Sequence, residues 1–394
     1  ALADGVSSAT VYGKITGGYD DGLVAVTYQV NGADYATQVL RSGSTATQPV
    51  DPAATGSLTF DGWLKADGTR WDYTAAVTEN TTLMGWLYVS VTNETELRAT
   101  LADDTVDVIR LAEDITVDVI LNVRHGRDVI LDLNGYVLDL AGKKIYVNDA
   151  SLASKLTIID SRPDVEHKFT PKADGLWVRD EANGTKTVKG GAIAGGHSDG
   201  SDNAGGIDIG RNGTVIMNAG HIVGCYADSN GGGVHMASGG IFTMNGGSIT
   251  GCVAKSMGGG VHMSSGTFTM NGGSITDCKA RDGGALYLCG TMIAGGGTVD
   301  GTVELDADGV ITGGGSTFSG LIINNNTQAQ FSGAYSPMGI VGTKPNGQDG
   351  HSYYKVTFDL AGGEMEYAER YFLEGTHISD QIKPNARTGY FFEG

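Results

Sequence analysis

Gly231–Cys252 reads GGGVHMASGGIFTMNGGSITGC, and Gly258–Cys278 reads GGGVHMSSGTFTMNGGSITDC. His235 to His262 is 27 positions. Asn245 to Asn271 is 26, because Ser238-Gly239-Gly240-Ile241-Phe242 shortens to Ser265-Gly266-Thr267-Phe268. A weaker copy precedes them, GGIDIGRNGTVIMNAGHIVGC over Gly205–Cys225. Partial copies begin at Gly190 and Gly283, so about five copies recur with a period of about 24–29 residues. Within each copy, short segments alternate apolar and polar residues, as in Val234-His235-Met236 and Phe242-Thr243-Met244. A period of two means strand. The Gly and Asn between segments supply the positive φ that sharp corners need. Three short strands and three corners in about 26 residues make one coil of a right-handed parallel β-helix, and the fold class is all-β.

Stacked coils bring equivalent residues about 4.8 Å apart. Inward ladders are expected at Val215-Phe242-Phe268, Met217-Met244-Met270, Ile222-Ile249-Ile275 and Ala227-Ala254-Ala280. An amide ladder is expected at the corner Asn218, Asn245 and Asn271, and a buried thiol ladder at Cys225, Cys252 and Cys278. The array extends upstream through Val129–Gly135 and Leu156–Asp160. Asn93-Glu94-Thr95-Glu96 is a capping-box-like start, so Glu94–Ala102 is expected to be a short helix over the first coil. Beyond Val310 the pattern is expected to become irregular.

Composition agrees with this placement. Of 394 residues 63 are glycine, and 37 of them fall between Gly190 and Gly320. No proline lies between Pro171 and Pro337, which excludes collagen and Pro-rich linkers. The net charge of −19 argues against nucleic acid as a partner. No apolar run is long enough for a transmembrane helix, so no membrane insertion is expected. The opening Ala1-Leu2-Ala3-Asp4-Gly5 has no signal-peptide character.

Two flanking segments resemble each other. The first holds Val26-Thr27-Tyr28-Gln29-Val30-Asn31-Gly32, Asp51-Pro52, Phe60-Asp61-Gly62-Trp63, Val77–Leu83 and Trp86. The second holds Val356-Thr357-Phe358-Asp359, Lys383-Pro384 and Thr388–Gly394. Both resemble the internalin-type B-repeat (Listeria–Bacteroides repeat), and the second stops before the expected Trp, as if cut within a domain. The central block is similar to glycine-rich β-helices of large bacterial surface proteins. The resemblance implies small β-grasp-like modules and an extracellular, cell-surface or secreted location. The expected organisation is a lead segment 1–20, a B-repeat-like module 21–92, a capped β-helix of roughly nine turns over 93–345, and a second module 346–394.

Candidate chemistry is sparse. Asp208, His235, His262 and Tyr287 occupy the same outward slot in successive coils, so they are expected to line one exposed face, fit to bind a ligand or, less readily, a metal. The oxygen-rich loop holding Asp199, Asp202 and Asn203 is a weak calcium candidate without a full ligand pattern. The paired carboxylates or acid–base cluster of a polysaccharide lyase or hydrolase find no match, and the glycine pairs do not lie between a strand and a helix. No catalytic residue and no cofactor are expected. The functional expectation is a non-catalytic adhesin-type rod displaying a face to glycans or to surface proteins of host or neighbouring cells. A polysaccharide-active enzyme and a plain spacer are the alternatives.

Overall fold

A computed structural model describes residues 22–378 except 55, 66–69, 125, 149–151, 201–202, 307, 327–329, 332–335, 337, 345, 348–351, 359–366, 368, 374 and 377. The lead segment 1–20, Asp202, and the Lys383-Pro384 and Thr388–Gly394 parts of the second flank lie outside the described residues. The chain divides into two compact units, one ending at Leu87 and the other dominated by Tyr88 onward.

In the first unit, Leu23–Val30 is the middle strand of a three-stranded sheet. It pairs antiparallel with Ala33–Arg41 and parallel with Thr81–Gly85. Asn31 and Gly32 join the hairpin with φ of 50° and 84°, the left-handed pair that suits strand twist. One face of the sheet is closed by Trp63, which meets the Tyr28 ring edge-on at 5.0 Å over Val26, Val77 and Leu83. Gly85 has no room for a side chain, since a Cβ there would lie 2.4 Å from the Phe60 ring.

The second unit is a parallel β-helix. Its first face stacks Leu121–Val123, Ile145–Val147, Ile207–Ile209, Val234–Met236, Val261–Met263, Leu286–Leu288, Val303–Leu305, Ile322–Asn324 and Ile340–Gly342. Its second face carries Asp128–Asp132, Ser154–Ile159, Gly213–Met217, Ile241–Met244, Thr267–Met270 and Thr291–Ala294. Its third carries Val137–Asp139, Ala192–Ala194, His221–Val223, Ser248–Thr250 and Ser274–Thr276. Val215 pairs with Phe242 and Phe242 with Phe268, and Met217, Met244 and Met270 run beside them, all fully buried. The Phe242 and Phe268 rings stack at 5.1 Å. Burying such a ring contributes about 2–3 kcal/mol by area alone. Ile222, Ile249 and Ile275 stack on the third face.

Coil length changes along the stack. His235 to His262 is 27 residues, but Val303 pairs with Ile322 and Thr298 with Thr317, each only 19 positions on. The coils beyond Val299 therefore stay regular, which corrects the expectations of irregularity and of a uniform 24–29-residue period. They have lost the segment that leads from the third face back to the first. In the long coils that segment carries the small sheet His197–Ser198, Tyr226–Ala227 and Val253–Ala254, followed by a Gly-rich loop.

Both ends of the stack are covered. The helix Glu94–Ala102 starts at Asn93, whose Oδ1 accepts from Glu96 N at 3.0 Å, while Glu96 Oε2 accepts from Thr92 N at 2.8 Å. Its Leu97 is buried in the coil core. At the other end Glu369–Leu373 pairs antiparallel with Ile340–Gly342 and with Tyr353–Thr357, so a hairpin follows the last parallel strand. One long excursion interrupts the coils. Ile145 pairs with Ile207, 62 positions later, and the extra length builds an antiparallel arm of Glu166–Pro171, Trp177–Arg179 and Lys186–Lys189.

Candidate functional site

The outward column of the first face is in register, since Asp208 pairs with His235, His235 with His262 and His262 with Tyr287. It is not the exposed face expected from the sequence: Asp208, His235 and His262 are 9%, 6% and 5% exposed, and only Tyr287 is half-buried. The cause is the Gly-rich loop in front of each strand. Gly231 and Gly258 take φ of 71° and 64°, and a Cβ on them would lie 2.8 Å from His235 Cβ and 2.7 Å from His262 Cα. Only glycine lets the loop lie this close over the histidines. Past Asp282 the roofing segment is gone, and the column opens at Tyr287.

Buried polar groups need partners. Asp208 Oδ2 accepts from Lys144 Nζ at 2.9 Å, and Asp208 Oδ1 meets His235 Nδ1 at 2.8 Å. Burial raises the Asp208 carboxyl, but His235 and Lys144 outweigh it and hold the group below the usual range, so it is ionised. Lys144 also donates to Asn203 O at 2.9 Å. His235 Nε2 faces Ser264 Oγ at 3.3 Å, and Ser264 is exposed. The His262 ring stacks on His235 at 5.3 Å and on Tyr287 at 5.6 Å. Burial, then the neighbouring His235, push His262 down to about 3, so it is neutral.

The other candidates are placed as follows. Asn245 Nδ2 donates to Asn218 Oδ1 at 2.8 Å and Asn271 Nδ2 to Asn245 Oδ1 at 2.9 Å, on the exposed corner. Cys225, Cys252 and Cys278 are buried and unbridged, and the thiols of Cys252 and Cys278 turn to Thr250 O and Thr276 O. Burial keeps the Cys278 thiol well above its usual range. The weak calcium loop does not gather its members. Asn203 accepts from Lys144 and from Asn230 Nδ2, whereas Asp199 lies beside His197 and Asp228, their ligand atoms within 4.8 Å of one another. A nitrogen among those ligands suits a transition metal better than calcium. Asp228 is already paired with Lys255 and with Gly200 N–H.

A groove of about 600 Å³ was not visible in the repeat pattern. The antiparallel arm lies across the third face, where Phe169, Trp177 and Val188 pack on Val137, Ala192, Ala194 and Val223. Gly251 admits the Trp177 ring, since a Cβ there would lie 2.1 Å from Trp177 Cγ, and Trp177 N–H donates to Gly251 O at 3.0 Å. Beside this seam Trp177, Tyr226 and His197 line one side of the groove with Asp139, Lys172 and Arg179. The His197 and Tyr226 rings meet edge-on at 4.8 Å. Arg179 is fixed by Asp114 and by Glu181 at 2.7 Å. The signal that could have located the groove is the break in repeat spacing between Ile145 and Ile207.

Residues 25–85 match the Listeria-Bacteroides repeat domain. That match supports a cell-surface repeat protein and covers the first unit. No curated protein and no solved structure matches the chain. Among the described residues no helix is long and apolar enough to cross a membrane.

Proposed function

We propose that the chain is an extracellular bacterial surface protein whose β-helix binds glycans in the groove beneath the arm. The observation that carries this reading is the pairing of aromatic rings with fixed polar groups in one open groove, Trp177 and Tyr226 beside Asp139, Lys172 and Arg179. Sugar rings present C–H faces that stack on aromatics and hydroxyls that need bidentate polar partners. Arg179, held by two carboxylates, is pre-organised for such contacts. The repeat domain at residues 25–85 supports display at a cell surface.

Affinity electrophoresis against a panel of neutral and anionic polysaccharides tests this. Retardation by at least one polysaccharide is expected, with affinity falling about tenfold in Tyr226→Ala. Equal retardation of wild type and Tyr226→Ala, or no retardation by any member of the panel, would overturn the reading.

A further inference from the structure

The buried column ends in a feature that glycan display does not use. Asp208 Oδ1 lies 2.8 Å from His235 Nδ1, and His235 Nε2 lies 3.3 Å from Ser264 Oγ. An ionised carboxylate at Nδ1 selects the tautomer with the proton there and leaves the Nε2 lone pair facing the hydroxyl. Asp208 and His235 are buried while Ser264 is exposed, so the acid and base are shielded and the hydroxyl faces outward. Ring stacking with His262 on one side fixes the imidazole plane. A serine–histidine distance of 3.3 Å is within what unliganded sites show.

We propose that Asp208, His235 and Ser264 form a hydrolytic triad that cleaves carboxylic esters. Ser264 Oγ attacks the ester carbonyl carbon as its proton passes to His235 Nε2, and the carbonyl π pair moves onto oxygen. Collapse of the tetrahedral adduct breaks the C–O bond, and the departing alcohol takes the proton from His235 Nε2. Water then attacks the acyl-serine, giving up a proton to His235. Release of the carboxylic acid regenerates Ser264. The backbone N–H of Ser265, next after the nucleophile, has no acceptor among the described residues and is free to meet the oxyanion. An exposed Ser264 suits an O-acyl group carried on a large polymer, which brings its ester to the surface.

The repeat supplies a benign control. Ala237 holds the position of Ser264 one coil earlier, just past a strand in parallel register with Val261–Met263, so Ser264→Ala preserves the coil. The full chain is treated with a fluorophosphonate and the adduct located by peptide mass spectrometry, and p-nitrophenyl acetate hydrolysis is followed in parallel. One adduct per chain on Ser264 is expected, with the hydrolysis rate falling about a hundredfold or more in Ser264→Ala. His235→Gln, checked for folding by circular dichroism, is expected to lose both labelling and hydrolysis. Absence of a Ser264 adduct, or an unchanged hydrolysis rate in folded Ser264→Ala, would overturn the proposal.

Discussion

Replacing His262 by Phe should remove a specific part of the acid sensitivity of this fold. The slot accepts an aromatic ring, since Tyr287 fills it one coil later. In the folded state burial and His235 hold His262 near 3, against 6.5 for a free imidazole. The unfolded chain therefore binds a proton at His262 between these values and the folded chain does not. Stability from this residue is complete above about pH 6.5 and declines as the pH falls toward 3. Linkage puts the loss at about 2 kcal/mol at pH 5 and about 3 kcal/mol at pH 4. Other groups titrate too, notably His221, which burial also lowers, so the informative quantity is the difference between variant and wild type. Urea unfolding at pH 8 and pH 5 gives that difference, and the variant should lose about 2 kcal/mol less than wild type. Equal losses in both would mean that His262 is protonated or solvated in the folded chain, and the account of the roofed column would fail.

Three further outcomes follow from the same coordinates. Asn245→Ala removes two amide hydrogen bonds from an exposed corner and should cost about 1–2 kcal/mol by urea unfolding, whereas Phe242→Ala, emptying a fully buried ring site, should cost about 3–5 kcal/mol. Gly258→Ala forces a Cβ to 2.4 Å from Val261 O at a φ of 64° and should lower the thermal midpoint by several degrees, as differential scanning calorimetry would record. Thiol titration with Ellman's reagent should count four thiols after unfolding and leave Cys225, Cys252 and Cys278 unreactive before it; two or none after unfolding would refute the unbridged ladder.

The parallel coils were legible because stacking forces near-identical residues into register. Phe242 over Phe268 and Asn245 over Asn271 leave a repeat that spacing alone reveals. Burial of the outward column was not legible. Alternation says that His235 points away from the coil interior, but a roof made by Gly231 and its neighbours comes from a loop with no periodic signature. The shortened coils were hidden for a related reason. Their strands keep the alternation while losing the connecting segment, so the period drifts from 27 to 19 residues. The groove escaped because the arm is a single insertion, and single insertions leave no self-similarity to find. Ser264 escaped because its partner His235 is a coil away, and only the stacking offset brings the two together.

The terminal hairpin has a consequence for assembly. A stack of parallel strands ends in a row of unsatisfied backbone groups that matches the opposite end of another copy, and such ends polymerise. Here the strand after Ile340–Gly342 runs the other way, so the first face finishes with an antiparallel partner whose pattern of donors does not match an incoming parallel coil. Arg370, in that strand, donates from Nη1 to Met338 O at 2.6 Å and is largely buried, which ties the reversal to the coil it terminates. With the helix Glu94–Ala102 covering the other end, the molecule has two unlike termini. It therefore carries a direction and a fixed number of coils, and it resists growing into a fibre although its interior is built like one.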